Sequence, residues 1–373
     1  MRKPLFFLFV TLILLPSVVI AQSVGGSCPD IVNTALESAD LMCGDLERNE
    51  ICYGNFKLNA TPQDGADDFY FDRVGDKVSV SDLSSLQLSP MDESTGEWGV
   101  AVMLLQANLP NTLPGQNVTI ILFGNVLIQN ATTQEQVDNG EFTPMQAFYL
   151  TTGIGDSNCA EAPESGMLVQ TPKGVGEVNF LINGVEVAMG STVLFQAPTD
   201  NELTATTIEG AAVLKVDNQA YPVVQGTKFG VQRLPENVRF IPIPNLPDAY
   251  ALESVQSLPI GLLSRQVTIA TPLDKTALAD LQNRIDNGLP LCGEAPFPPC
   301  TDTIPSLGGT GCVFPENYEN NTVPTELVGI PICEASAFYV SSGEATSQPD
   351  ATQQPPANQN NDDNNNDDDD DDD

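Results

Sequence analysis

The strongest constraint on the fold is a run of short segments between residues 145 and 233, in which apolar and polar residues alternate and turn residues separate the segments. The clearest pair, residues 177–182 and 185–189, is joined by Asn183-Gly184, a dipeptide that favours the type I′ turn of a β-hairpin. The other candidate strands are residues 146–151, 167–170, 192–197, 203–208, 211–216, 221–224 and 227–232. Strands at this regular spacing are typical of sandwiches and barrels, so we predict a mainly β fold with a central β-sandwich or barrel-like domain.

The chain before this region combines a helix with further strands. Apolar residues recur at helical spacing over residues 28–52, which predicts a short helical opening tied by disulfides. Strand candidates follow at residues 77–80, 98–107, 117–122 and 126–129. Trp98 is expected in the core rather than on a sugar-stacking surface. We therefore predict a disulfide-tied N-terminal helix plus β region over residues 22–140.

A family resemblance lies within the central strands. It rests on a TPxG entry strand at Thr171, the Asn183-Gly184 hairpin, a Gly-Ser step into the next strand and a closing GTxFxV strand. Residues 168–232 with these motifs resemble a FecR-type extracytoplasmic β domain. The resemblance implies a non-catalytic module, over residues 141–234, that senses or transmits signals through protein contacts. Regulator members of that family carry a cytoplasmic domain and a membrane helix, whereas the first residues of this chain predict a cleavable signal, as described below. The resemblance therefore implies the fold and a style of binding, but no signalling to a sigma factor.

Residues 1–21 have the pattern of a secretory signal peptide. Two basic residues precede an apolar stretch at residues 5–15, and a small-residue motif predicts cleavage before Gln22. An uncleaved membrane anchor is the less favoured alternative, because the apolar run is short and Pro16 interrupts it. We predict that the mature chain is secreted or extracytoplasmic, in the periplasm or at the cell surface, without stable membrane insertion.

Eight cysteines in an exported chain are best interpreted as disulfide partners. They form two sets, Cys28, Cys43, Cys52 and Cys159, and then Cys292, Cys300, Cys312 and Cys333. Because each set has an even number of cysteines, we expect disulfides to form within each set. The first set would then cross-link an N-terminal region and the second a C-terminal region. The pairing stays open, because eight cysteines allow about a hundred connectivities. A zinc site is disfavoured, since the spacings lack the paired CxxC of zinc ribbons.

The C-terminal part changes composition. Residues 235–247 are rich in proline and predict an extended linker. A helix is expected to begin with Thr271 as its N-cap and to end by Gly288. Residues 235–340 are thus predicted to be a Pro/Cys-rich region of helices and loops. Residues 341–373 end in seven consecutive aspartates and predict a disordered tail, with at most weak attraction for divalent cations.

Charge and composition narrow the range of functions. The formal net charge of −36 disfavours nucleic acid and anionic membrane surfaces as partners. The chain has no histidine, which removes the usual general base, the Ser-His-Asp arrangement and nearly all catalytic zinc sites. Oxidised cysteines would supply no thiol nucleophile either. The chemistry that remains is that of a glycosidase carboxylate pair or a Ser-Lys dyad.

No catalytic, cofactor-binding or metal-binding residue is predicted, and no cofactor. One acidic cluster, Asp64, Asp67, Asp68 and Asp72, is the best candidate for a surface cation site, but a solvated acidic loop is the favoured interpretation. The favoured function is non-catalytic binding or scaffolding through recognition of an envelope or extracellular protein or glycan. One alternative is a structural or surface-layer protein whose tail gathers cations. The other is a carboxylate-dependent polysaccharide hydrolase.

Overall fold

The computed structural model describes residues 27–66, 68–106, 117–140, 142–153, 161–173, 177–199, 201–216, 219–233, 240–300 and 304–307. The predicted signal peptide, the acidic tail, Asp67, Cys159, Cys312 and Cys333 lie outside these residues. The described part confirms a mainly β protein. Seventeen strands form two sheets, of nine and eight strands, and neither sheet closes into a barrel within the described residues.

In chain order the described strands are β1 (Glu50–Asn55), β2 (Leu58–Pro62), β3 (Lys77–Ser79), β4 (Leu83–Leu88), β5 (Val100–Leu105), β6 (Val118–Phe123), β7 (Val126–Asn130), β8 (Ala147–Thr152), β9 (Gly166–Gln170), β10 (Val178–Ile182), β11 (Val185–Met189), β12 (Thr192–Gln196), β13 (Glu202–Glu209), β14 (Ala211–Val216), β15 (Gln219–Val224), β16 (Thr227–Arg233) and β17 (Phe240–Ala249). The α-helices among the described residues are α1 (Cys28–Cys43), α2 (Gln134–Asp138) and α3 (Lys275–Asp286).

The chain passes back and forth between the two sheets and adds one or two consecutive strands to a sheet each time. The nine-stranded sheet has the order β17-β16-β13-β12-β9-β6-β5-β1-β3, and the eight-stranded sheet has the order β15-β14-β11-β10-β8-β7-β4-β2. Strands β8 and β10 run parallel, whereas β8 and β7, like β10 and β11, run antiparallel. Because β6 pairs with β9 and β7 pairs with β8, both sheets continue across the boundary predicted between residues 140 and 141.

The two sheets pack face to face over one apolar core. Phe195 and Phe229 enter it from the nine-stranded sheet, and Phe148 and Phe180 enter it from the eight-stranded sheet, each at most 2 % exposed. Burying one such side chain stabilises the fold by about 2–3 kcal/mol. The arrangement is the predicted sandwich, and its core also takes in strands of the N-terminal region.

Helix α1 and residues 250–269 cover the outer face of the nine-stranded sheet. Ile31 of α1 and Leu258 belong to the same apolar cluster as Phe123 of β6. Trp98 lies in this second core, with its ring centroid 6.3 Å from that of Phe123. The prediction that Trp98 is a core residue is confirmed.

Helix α1 is shorter than the predicted helical opening over residues 28–52. It ends at Cys43, and a disulfide joins this cysteine to Cys52 of β1 with 5.7 Å between the Cα atoms. One continuous helix would hold these two Cα atoms about 13 Å apart, which is too far for a disulfide. The chain therefore turns back after α1, and Glu50–Asn55 forms a strand.

Each described disulfide pair joins two cysteines of the same predicted set. Cys43 pairs with Cys52 in the first set, and Cys292 pairs with Cys300 in the second. Cys28 is also disulfide-bonded. The first pair ties α1 to the nine-stranded sheet, and the second closes a loop that follows α3.

Helix α3 and that loop cover part of the outer face of the eight-stranded sheet. Leu281 of α3 and Phe297 of the loop are buried there, and the guanidinium of Arg284 lies 4.4 Å from the centre of the Phe297 ring. The predicted N-cap, Thr271, is wrong. The helix begins at Lys275 and is capped by Asp274, whose carboxylate accepts the N–H groups of two first-turn residues at 2.9 Å. A carboxylate is a strong cap because it also interacts favourably with the helix dipole.

Part of the predicted proline-rich linker is a strand. Residues Phe240–Ala249 form β17, the edge of the nine-stranded sheet, paired with β16. An edge strand tolerates proline, because only one of its sides needs N–H donors. Prolines at the edge also discourage further strands from adding to the sheet.

None of the helices in the described part of the chain has the length and apolar character needed to span a bilayer.

Candidate functional site

The outer face of the eight-stranded sheet is divided into a covered half and an exposed half. On β11, β14 and β15, the outward residues Ala188, Val213 and Val224 are buried beneath the α3 region. On β2, β4, β7, β8 and β10, the outward side chains stay exposed or half-buried, except for Ala147 at the start of β8, which is buried. We call this second half the open face. It consists of Asn59, Thr61, Ser85, Gln87, Leu127, Gln129, Tyr149, Thr151, Asn179 and Leu181.

The two-residue period of each strand produces the open face. Ile128 of β7 and Leu150 of β8 face each other across the strands and point into the core. The neighbouring residues, Gln129 and Tyr149, also face each other and therefore point outward. Tyr149 is 55 % exposed although it lies in the middle of a strand. An aromatic ring is thus presented on a rigid surface.

Strand register arranges the open face in two rows perpendicular to the strands. Thr61 pairs with Ser85, Ser85 with Gln129, and Gln129 with Tyr149, which gives the Tyr149 row. The second row contains Asn59, Gln87, Leu127 and Thr151. Each row crosses four strands, so at the usual strand spacing it is about 14 Å long. The side chains of a row can contact one extended ligand.

Asn183 fixes the strand that carries Tyr149. Its backbone adopts φ 54°, in the left-handed region, at the turn between β10 and β11. Its backbone N–H donates to the carbonyl of Phe148 at 3.0 Å. Its side-chain amide accepts the N–H of Leu150 at 2.6 Å and donates to the carbonyl of Leu150 at 2.9 Å. The residues on both sides of Tyr149 are therefore held by one asparagine.

The open face carries no formal charge on any of its ten residues, although the chain contains 50 acidic residues. Charges appear on the next strands, where Lys215 of β14 and Glu186 of β11 form an ion pair at 3.7 Å. Among the described residues, the side chains of Thr61, Ser85 and Gln129 have no protein hydrogen-bond partner. The face offers hydroxyl and amide groups that are available to a ligand.

The acidic cluster does not form a metal site in the described residues. The carboxylate of Asp76 accepts the backbone N–H groups of Asp72 and Arg73 at 2.9 and 2.8 Å, so this part of the loop is an ordinary capped turn. No group of three or more acidic or cysteine side chains in the described chain is placed to hold a metal ion. Asp67 lies outside the described residues.

Among the described residues, two exposed carboxyl groups have displaced pKa values, and both are lowered. A hydrogen bond from Lys77 lowers the pKa of Asp45, and hydrogen bonds from Ser94 lower the pKa of Asp92. A glycosidase needs a general acid whose pKa is raised, so that it stays protonated until it donates its proton. Neither carboxyl group has that property.

Comparisons with known proteins leave the family open. The chain matches no protein-family profile and no curated protein. One solved structure, from Parabacteroides distasonis ATCC 8503 and described as an anti-sigma factor, is similar at 6 % identity and a TM-score of 0.23. The match covers 38 % of this chain and 59 % of that one, which is less than two thirds of its length. A similarity this low carries no argument about fold or function.

The open face was not among the predicted site residues. The predicted strands at residues 126–129 and 146–151 contain Gln129 and Tyr149, but a single strand does not show whether its outer side is covered. A signal was nevertheless present, because eight of the ten residues of the open face are uncharged side chains with a polar group.

Proposed function

We propose that this chain is an exported, non-catalytic binding or scaffolding protein that recognises a protein or glycan of the cell envelope through the open face. The observation that carries the proposal is the contrast between the two halves of one sheet surface. Ala188, Val213 and Val224 in one half lie under the α3 region, whereas eight of the ten residues of the open face carry hydroxyl, amide or aromatic groups and are exposed or half-buried.

The geometry favours binding over chemistry. Binding sites combine an aromatic or apolar contact with a few convergent polar groups, and the Tyr149 row has both. The strands hold these groups in fixed positions, so the site would lose little conformational entropy when a ligand binds. The resemblance of residues 168–232 to a FecR-type domain supports the same kind of function, since that family binds partners without catalysis.

Export is part of the proposal. The signal-peptide pattern of residues 1–21 supports it, and so do the Cys43–Cys52 and Cys292–Cys300 disulfides, because disulfides persist in oxidising compartments. The proposed location is extracytoplasmic, in the periplasm, at the cell surface or in the medium.

Binding of the purified mature chain to envelope fragments of the source cells tests the proposal. Co-sedimentation over a range of protein concentrations gives the affinity of the wild type and of Tyr149→Ala. The variant is expected to bind at least 10-fold more weakly, a loss of about 1.4 kcal/mol. Tyr70→Ala is the matched control, because Tyr70 is also an exposed tyrosine, at 70 %, but lies in the loop between β2 and β3. Its affinity should equal that of the wild type.

Equal binding by the wild type and Tyr149→Ala would refute a role for the open face. Calcium-dependent self-association that disappears when residues 341–373 are removed would favour the structural alternative. Release of reducing sugars from envelope polysaccharide would favour the hydrolase.

A further inference from the structure

We infer that the ligand of the open face is an uncharged glycan chain that lies across the strands along the Tyr149 row. This inference rests on the proposed function and names the class of ligand. The alternative class, a protein partner, is an outcome of the experiment below.

The charge distribution argues against an ionic ligand. A chain with a net charge of −36 repels polyanions at long range, and the open face has no Lys or Arg with which to offset that repulsion. A cationic ligand would be attracted to the protein as a whole, but it would find no carboxylate on the open face to pair with. A ligand specific to this face is therefore one whose recognition needs no charge.

The functional groups match those of a sugar. A hydroxyl group both donates and accepts hydrogen bonds, and so do the side chains of Thr61, Ser85 and Gln129. A sugar ring also has an apolar face of C–H groups, which can pack on the exposed ring of Tyr149. The row therefore supplies an aromatic platform at one end and hydrogen-bonding groups along the rest.

A protein interface of ordinary strength would require a different surface. Its centre is fully desolvated on binding and contains clustered aromatic, Met or Arg anchors. On the open face, Tyr149 is the single aromatic residue, and Leu127 and Leu181 are half-buried between their neighbours. A row about 14 Å long suits a chain of a few sugars, which lies on a flat surface and makes hydrogen bonds at regular intervals.

The experiment uses the co-sedimentation assay with envelope fragments treated in two ways. Protease digestion removes protein ligands, and periodate oxidation cleaves vicinal diols of sugars. Binding is expected to survive protease, to fall at least 10-fold after periodate, and to change less than twofold between low and high salt. The neutral fraction of envelope polysaccharide, taken from the flow-through of an anion exchanger, should compete, whereas the anionic fraction should not. Gln129→Ala should weaken binding, and Tyr70→Ala should not.

The outcomes separate the two proposals. Tyr149-dependent binding that is lost after protease and retained after periodate would overturn the glycan inference and leave the proposed function intact. Competition by the anionic fraction alone would also overturn the inference of an uncharged glycan and leave the proposed function intact. Binding that is independent of Tyr149 would overturn both.

Discussion

Replacing Asn183 with alanine removes the side chain that joins β8 to the turn after β10. Asn183 and Leu150 are 3 % and 1 % exposed, so the N–H and C=O of Leu150 would both be left without a partner in a buried position. Each such loss costs about 1–3 kcal/mol. Holding alanine in the left-handed backbone conformation destabilises the folded state by about 1 kcal/mol more. We therefore expect Asn183→Ala to lower the free energy of unfolding by about 3–7 kcal/mol.

Glycine at the same position separates the two contributions. It adopts the left-handed conformation without the steric cost, but it also leaves Leu150 unpaired. The expected order of stability is wild type, then Asn183→Gly, then Asn183→Ala, with about 1 kcal/mol between the two variants. Asn59→Ala is a matched control, since Asn59 is exposed on β2 and its replacement should change stability by less than about 0.5 kcal/mol.

Urea unfolding followed by tryptophan fluorescence measures these differences. Trp98 is the one tryptophan of the chain and is buried against Phe123, so its emission reports loss of the core. Asn183→Gly should also weaken envelope binding, because Tyr149 lies between the two residues that Asn183 holds. A stability of Asn183→Ala within about 1 kcal/mol of the wild type would contradict this prediction, because β8 would then be fixed without these hydrogen bonds.

The remaining predictions concern Tyr250 and the first disulfide. Burial raises the pKa of Tyr250 from 10.0 to about 12, and its hydroxyl donates to the carbonyl of Ala270. The folded state favours the neutral form of Tyr250 more than the unfolded state does. The contribution of Tyr250 to the free energy of unfolding is therefore fully present below pH 10, and it is lost as the pH rises towards 12. Urea unfolding at pH 9 and 11 should show a loss of about 1.4 kcal/mol that Tyr250→Phe removes, whereas an unchanged loss in that variant would contradict the prediction. Replacing both Cys43 and Cys52 with serine should lower the free energy of unfolding by about 2.5 kcal/mol, because the unfolded chain is no longer restricted by a link between residues nine positions apart. An unchanged urea midpoint would contradict this prediction.

Local chemistry made much of the sheet predictable. The hairpin expected at residues 177–189 matches β10 and β11, because Asn183-Gly184 supplies the two left-handed positions that the turn needs. The expected sandwich is also present. The parallel pairing of β8 with β10 was not predictable in this way, because it joins strands about 30 residues apart through contacts that no turn motif specifies. The same is true of the β6–β9 pair, which makes the N-terminal region and the predicted FecR-like region share a sheet.

The errors in the C-terminal part have a common cause. Prolines at residues 242, 244 and 247 predicted a linker, yet they are compatible with β17 because the sheet ends there. Thr271 and Asp274 are both acceptable N-caps by composition, and the structure selects Asp274. In each case a local rule allowed two outcomes, and tertiary contacts decided between them.

The open face shows which further information the sequence does contain. Residues 188, 213 and 224 are apolar and alternate with core positions on their strands, so these strands need apolar cover on both sides. Helix α3 and the disulfide-closed loop that follows it cover the outer side. Gln129 and Tyr149 alternate with core positions in the same way, but Gln129 is polar and Tyr149 has a polar end, so they can remain in water. The character of the second side of each strand thus predicts which half of a sheet is covered. Applied to Gln129 of β7 and Tyr149 of β8, this rule points to the Tyr149 row, whereas Leu127 and Ala147 on the same sides of these strands are apolar. If binding to the envelope depends on Tyr149, the same rule becomes a way to find recognition faces in other two-sheet proteins that contain no catalytic motif.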